Sequence, residues 1–199
     1  VEGLGIAIVI VIALLTLIVF VAPWLLPDPS AMPDLLAGAV PPGQGHPFGT
    51  DQLNRDVLSR VVSGGQISLS VAGLAVLLAV TLGALVGGLA GFYGGWLDSV
   101  LMRLVDGALA IPRLFLLLLL VAVWEQMPLG ALVLVLGATG WFATSRIVRG
   151  EVLRLREAEF VLAATALGAG PGRIILRHLL PNVAGPILVA ATLGVGDVI

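Results

Sequence analysis

Two long uncharged stretches constrain the fold of this chain most strongly. No charged residue occurs from Gly3 to Leu26 or from Val61 to Leu97. Each stretch exceeds the roughly 20 apolar residues that a helix needs to cross about 30 Å of hydrocarbon. Composition agrees, because 59% of the residues are hydrophobic, 11% are charged and the mean hydropathy is +1.12. We therefore predict an all-α integral membrane protein.

Charge and residue usage exclude several functions. The net charge of -2 argues against a nucleic-acid partner, because binding a phosphate backbone requires a basic surface. The absence of cysteine excludes disulfides and thiolate metal sites from this sequence. All ten basic residues are arginine, so no GxxxxGK[ST] loop can be present. Any ATP chemistry must then belong to a different polypeptide.

Hydropathy predicts a polytopic helical bundle with five apolar segments. A signal peptide is the alternative for the first segment, but signal cores are shorter and follow a basic leader. Because the chain opens on Val1 and stops at Ile199 within an apolar region, we expect it to be truncated at both ends. The predicted spans are Gly3 to Leu26, Ile67 to Gly91, Leu114 to Trp124 with a start before Pro112, Leu129 to Val148, and an incomplete one from Leu179 to Gly196.

A proline-rich segment separates the first two spans. We predict three regions: a first transmembrane helix at 1–26, an extracytoplasmic loop at 27–66, and a transmembrane domain at 67–199. Thr50 and Asp51 are good N-cap residues, and apolar residues then recur at helical spacing. This pattern predicts an amphipathic helix from Asp51 to Ser63, either at the membrane interface or packed on the loop itself.

Small and charged residues predict two helix contacts. Gly83, Gly87 and Gly91 stand four apart, a spacing that lets another helix approach closely, and ordinary helix packing is the favoured interpretation. Arg103 and Asp106 are three apart on a helix and are predicted to pair near the headgroups.

Arginine predicts the orientation in the membrane. Six of the ten arginines lie between Arg146 and Arg177. Basic residues near span ends stay in the cytoplasm, so we place this segment inside. Counting back through four spans puts the N-terminus inside and the proline-rich loop outside.

The arginine-rich segment has the pattern of a helix, a turn and a second helix. Glu151 to Leu167 is predicted to continue the fourth span as a helix, Gly168 to Gly172 to break it, and Arg173 to Leu180 to form a short helix that ends before Pro181. Ala163 and Ala164 would let a partner approach closely. The alternative is a helical hairpin that packs only on its own chain.

The segment resembles a signature of the permease subunits of binding-protein-dependent ABC importers, in the dipeptide, oligopeptide and nickel branch. That signature is Glu-Ala-Ala, three residues, Gly, nine residues, Ile, one residue, Leu-Pro. Ala163, Ala164, Gly168, Leu180 and Pro181 stand at the matching positions. The resemblance runs from about Phe48 to Gly194, and further matching segments are Phe48 to Asp51, Leu53, Arg55 to Arg60, Phe92 to Trp96 and Leu101 to Asp106.

This resemblance implies a fold of the ABC importer permease type and half of a translocation pathway for peptides, nickel or a related solute. It also implies a bacterial or archaeal cell membrane, a second homologous permease subunit, two ATP-binding subunits and an extracytoplasmic solute-binding protein. The chain itself would be no enzyme, would bind no cofactor, and would contact membrane lipid. The cytoplasmic coupling loop at about 149–181 would contact the ATPase through Glu159, Ala163, Ala164, Gly168, Ala169, Gly170, Arg173, Leu180 and Pro181.

Two positions depart from the signature. Leu162 stands where the signature has glutamate, and His178 where it has isoleucine. We hypothesise that Glu159, one turn earlier on the same helical face, replaces the missing glutamate. His178 is interpreted as part of a solvated helix end and His46 as a loop residue without partners at ligand spacing.

An ion-coupled secondary transporter or channel subunit is the alternative function. Such proteins place ionisable groups within the membrane along the ion path. The first, second and fourth spans are almost free of them, and the charges near the third are Asp106, Arg113 and Glu125. An intramembrane enzyme is disfavoured, because no HExxH or GxSxG pattern occurs.

Overall fold

The computed structural model describes residues 2–26, 38–43, 45–124 and 126–199, with side chains from Ile10 onward. Across these ranges the regular structure is helical, with two isolated β-bridges and no strand, which confirms the all-α prediction. The chain forms two compact units, residues 1–70 and 71–199. The predicted loop at 27–66 falls partly outside the described residues, and Glu125 falls outside them altogether.

Eight helices make up the described chain. In chain order they are α1 Glu2–Val21 with a 3-10 turn at Ala22–Trp24, α2 Val57–Tyr93, α3 Gly95–Leu109, α4 Arg113–Val123, α5 Leu129–Leu155, α6 Glu159–Ala166, α7 Pro171–Asn182 and α8 Ala184–Val198.

Two of these helices, α2 and α5, are long and apolar enough to cross a membrane by themselves. Two bent pairs would raise the number to four if each is one span: α3 with α4, bent by 70°, and α7 with α8, bent by 61°. In α1 the apolar stretch Ile10–Trp24 is shorter, so its assignment as a span stays a prediction.

The start of α2 differs from the expected amphipathic helix. Residues 51–56 form a turn, and one helix of 37 residues runs from Val57 to Tyr93, so the predicted bounds of Asp51 to Ser63 are wrong. Asp56 provides the N-terminal cap, because its carboxylate accepts the Ser59 backbone N–H and hydroxyl at 2.7 Å each. His46 Nδ1 lies 2.9 Å from the same carboxylate, so His46 has a partner that its sequence context did not reveal.

Asp51, expected as the cap, instead organises the turn. Its carboxylate accepts the backbone N–H groups of Leu53 at 2.9 Å and Arg55 at 3.0 Å, and the side chains of Arg55 and Arg60. The Arg55 N–H contributes most to lowering the pKa of Asp51 to about 2. The turn is therefore built on a carboxylate that stays ionised at neutral pH.

Glycine packing joins α2 to α5 within the larger unit. A Cβ atom at Gly83 would lie 2.6 Å from Thr144 Cβ, and one at Gly91 would lie 2.9 Å from Val152 Cβ. At Gly87 it would collide with the Ser145 carbonyl oxygen. The expectation that these glycines serve helix packing is confirmed.

The third predicted span is broken at Pro112. α3 ends at Leu109, Pro112 is extended with ψ 117°, and α4 begins at Arg113. Proline has no N–H to continue the helix and disfavours helical conformation in the residue before it. The predicted start before Pro112 is therefore a separate helix that meets α4 at a sharp angle.

The predicted Arg103–Asp106 pair is wrong. Asp106 instead pairs with Arg146 of α5, and Arg149, one turn further along α5, holds Asp98 of α3 through two hydrogen bonds of 2.5 and 2.6 Å. A neighbouring helix thus supplies partners that spacing along one helix could not predict.

Candidate functional site

The candidate site is the helix-turn-helix from Glu159 to Pro181, here called the elbow. α5 ends at Leu155, Ala158 is extended with ψ 146°, and α6 begins at Glu159. The expected continuation of the fourth span through Leu167 is therefore wrong beyond Leu155. The turn has a packing reason, since it lets Leu155 and Val161 enter the same buried cluster.

Gly168 forms the turn of the elbow. It adopts φ +82°, a conformation that glycine reaches without strain. The Gly168 N–H donates to Thr165 O at 2.9 Å and the Ala169 N–H to Ala164 O at 3.0 Å. These two bonds form a Schellman motif, which satisfies carbonyls at the end of α6. The predicted break at Gly168 is confirmed.

The second helix of the elbow does not end before Pro181 as expected. α7 contains a π turn at Ile174–Leu179 and continues through Pro181 to Asn182. The Leu180 N–H donates to Ile175 O in this wider turn. The shift in hydrogen bonding just before Pro181 accommodates a residue that lacks a donor. His178 lies in the π turn, and its carbonyl accepts the Asn182 side-chain amide at 2.6 Å.

A hydrophobic cluster anchors the elbow to α5. Val148, Leu179 and Val183 are fully buried and pack within one cluster. Because α5, α6, α7 and the residue before α8 share this cluster, the elbow packs directly against α5 and against the start of α8. The buried members are Val148, Val152, Leu155, Val161, Ile174, Leu179 and Val183.

The structure separates the nine predicted contact residues into two groups. Ala164, Ala169 and Leu180 are half-buried, and the last two pack against the cluster. The other six are exposed, namely Glu159, Ala163, Gly168, Gly170, Arg173 and Pro181. The predicted loop therefore presents an exposed surface on a buried support.

Sequence reasoning missed the apolar part of this surface. Leu167, which directly precedes the Gly168 turn, is 89% exposed, and Leu162 and Leu176 are 57% and 67% exposed. The sequence did contain a signal for the exposure of Leu167. It directly precedes the glycine that ends α6, and the side chain at such a C-cap position projects from the end of its helix. Exposed leucines on a helical hairpin are typical of a surface that another protein covers.

Arginines near the elbow are already engaged with α2 and α3. Besides the pairs of Arg146 and Arg149, Arg156 donates to Gly91 O at 3.2 Å. Arg173 and Arg177 are exposed. The predicted basic cytoplasmic segment thus begins inside α5, and only part of its charge faces outward from the elbow. In the part of the chain that the structure describes, no three His, Cys, Asp or Glu side chains come together as a metal site would require.

Comparison with known proteins gives a consistent result. Residues 79–199 match the family described as binding-protein-dependent transport system inner membrane component. The dipeptide transport system permease protein DppC of Bacillus subtilis is 40% identical over 88% of this chain and 54% of its own length. The oligopeptide transport system permease proteins OppC of Bacillus subtilis and Haemophilus influenzae are 38% and 37% identical over 94% and 98% of this chain. The chain spans 61% and 63% of those two relatives, so it corresponds to less than two thirds of each.

Proposed function

Because this chain belongs to the family of inner membrane components of binding-protein-dependent transport systems, we propose that it forms half of the pore of an ATP-driven importer. Its cargo is a short peptide, as the names of the relatives DppC and OppC suggest. Nickel, which the sequence resemblance also allows, has less support because the relatives compared above are named for peptides.

The observation that carries this proposal is the elbow, an exposed surface on a buried support. It lies within the residues that match the family. An ATPase subunit that covers Leu167 and the exposed face of α6 would bury apolar area in a new interface. The chain has no lysine for a P-loop of its own, so the ATP site belongs to the partner.

The proposed assembly contains a second homologous permease subunit, two ATP-binding subunits and an extracytoplasmic solute-binding protein. It sits in a bacterial or archaeal inner membrane, with the N-terminus and the 149–181 loop in the cytoplasm. Closure of the ATPase dimer displaces the elbow, and the shared cluster carries the displacement into α5 and α8. Such coupling requires the partner to contact the two pore states differently.

Reconstitution tests this function directly. Proteoliposomes that contain the complete transporter should accumulate a labelled dipeptide when ATP and the binding protein are supplied, and the peptide-loaded binding protein should stimulate ATP hydrolysis. Uptake that needs an ion gradient and no nucleotide would support the secondary-transporter alternative instead.

Glu159 is proposed to replace the glutamate that the signature has at Leu162. Glu159 is exposed in the first turn of α6, one turn before Leu162 and Ala163. Glu159→Ala should reduce ATPase-coupled uptake. Glu157→Ala is the matched control, because it removes a 78% exposed carboxylate just outside α6, and it should leave uptake unchanged. Unchanged coupling in Glu159→Ala would contradict the hypothesis that Glu159 replaces the missing glutamate, and would not affect the proposed importer function.

A further inference from the structure

A cavity of about 330 Å³ lies among α2, α3, α4, α5 and α8, away from the elbow. Its walls are mostly apolar, and several of the lining residues are small, among them Ala75, Ala79, Gly140 and Gly194. Arg113 and Asp197 provide charge in its lining. Ligand pockets commonly combine an apolar wall with a few polar groups, and this volume is at the lower end of their range.

The cavity lies near the middle of α2 and α5, the two helices long enough to span the bilayer. Gly140 of α5 and Ala79 of α2 are about 20 Å along their helices from the ends nearest the elbow. Gly194 is about 15 Å from the corresponding end of α8. With about 30 Å of hydrocarbon, this depth is near the bilayer midplane, where transporters of other classes place their cargo sites.

Arg113 is an incompletely bonded cation at this depth. It pairs with Asp197 through Nη1. Its Nε and Nη2 atoms are buried and are the only buried side-chain nitrogen or oxygen atoms without a hydrogen-bond partner in the part of the chain the structure describes. Such groups are costly, and ionisable residues within a membrane usually serve the transport path.

The two unbonded nitrogens form the edge of the guanidinium that binds a carboxylate with two hydrogen bonds. Arg149 shows this use within the same unit, because its Nε and Nη2 hold the Asp98 carboxylate at 2.5 and 2.6 Å. The Arg113 side chain as a whole is 29% exposed, but these two nitrogens are buried, so the side chain must rotate to present this edge to a carboxylate in the cavity.

We propose that Arg113 binds the carboxylate of a short peptide cargo within this cavity, a subsite that rests on the proposed import function. The apolar wall takes the peptide's small side chains, and Asp197 holds Arg113 in place when no cargo is bound. This assigns to the permease a recognition step for the charged end of its cargo.

Thiol protection in the complete transporter tests the proposal. These 199 residues contain no cysteine, so Ala143→Cys introduces a reporter thiol into the cavity lining. The dipeptide Ala-Ala should slow its labelling by a small maleimide, and Arg113→Gln should raise the half-protecting concentration about tenfold. Ala-Ala carrying a C-terminal amide should protect weakly and equally with and without Arg113→Gln.

Two controls separate recognition from damage. Arg103→Gln removes an exposed arginine of α3 that does not line the cavity, and should leave protection unchanged. Arg113→Lys keeps the positive charge but cannot form the bidentate hydrogen bonds of a guanidinium, and it should weaken protection by the dipeptide. A change in the labelling rate of Arg113→Gln without peptide would mean that this substitution disturbs the cavity. The test then rests on Arg113→Lys, and undiminished protection by the dipeptide in that variant would overturn the proposal.

Equal protection by the dipeptide and its amide would also overturn the proposal. So would a reporter thiol that no reagent reaches, because the cavity would then be filled by another part of the transporter. ATP-driven uptake by the unsubstituted transporter is measured in the same vesicles. If the transporter takes up peptide but protection does not depend on Arg113, only the subsite is wrong. If no uptake occurs, the proposed import function is wrong.

Discussion

At the scale of single residues, Gly168 has the clearest conformational requirement. Its φ of +82° lies where an L side chain clashes with its own backbone, at a cost of roughly 1–2 kcal/mol. No other atom lies within 4 Å of a Cβ built there, so the requirement is conformational and not a matter of space. The Schellman bonds that close α6 depend on this conformation.

Gly168→Ala should therefore weaken the elbow without creating a collision. We expect the Ala169 amide, which donates to Ala164 O, to exchange with solvent roughly fivefold to thirtyfold faster, corresponding to about 1–2 kcal/mol. Gly172→Ala is the matched control, because it also meets open space but has no positive φ. Gly172→Ala should leave this exchange unchanged or slow it slightly. Equal acceleration in both variants would contradict the assignment.

At the scale of elements, the contact between α2 and α5 depends on glycines on one face of α2. Gly87 meets Ser145 O and Val148 of α5, whereas nothing lies within 4 Å of a Cβ built on its neighbour Gly88. Without a hydrophobic driving force in lipid, close backbone approach is the main source of such packing energy. The two neighbouring glycines thus have opposite packing environments on one helix.

Gly87→Ala should force α2 and α5 apart and destabilise the folded protein by about 1–3 kcal/mol. Gly88→Ala should be neutral or slightly stabilising, because alanine favours the helix. Unfolding in mixed micelles of increasing denaturing-detergent fraction measures both variants against the unsubstituted protein. A similar loss of stability in both variants would mean that helix propensity, and not the contact with α5, determines the effect of substitution at Gly87.

At the scale of the whole molecule, the proposed orientation places the turn before α2 and the elbow on opposite sides of the membrane. α2 is one helix of 37 residues, about 55 Å long, which is more than enough to cross the bilayer. The positive-inside rule supports the proposal that the elbow lies on the cytoplasmic side. The ion pairs of Arg146 and Arg149 do not alter that proposal, because acidic residues contribute little to the positive-inside rule.

A pair of single-cysteine variants tests this topology. Leu53→Cys, at a side chain that is 45% exposed, should react with a membrane-impermeant maleimide added to intact cells. Glu157→Cys, next to the elbow, should react only after the membrane is permeabilised. The reverse pattern would invert the proposed orientation, and with it the assignment of the elbow to an ATPase.

Much of the element structure could be predicted because local chemistry determines it. Hydropathy identified α2 and α5, and glycine at position 168 located the break in the elbow. The boundaries were less predictable. The Asp56 cap and the π turn before Pro181 depend on hydrogen bonds that hydrophobic periodicity does not reveal.

By itself, the sequence determined the helical membrane class, the position of the elbow turn and the absence of a P-loop within this chain. These properties depend on hydrophobicity, backbone freedom and residue type, which act locally. Only the tertiary structure decided that Asp106 pairs with Arg146 and not Arg103, and that Arg113 meets Asp197 beside a cavity. Arg113 and Asp197 are 84 residues apart, so helix packing alone brings them together.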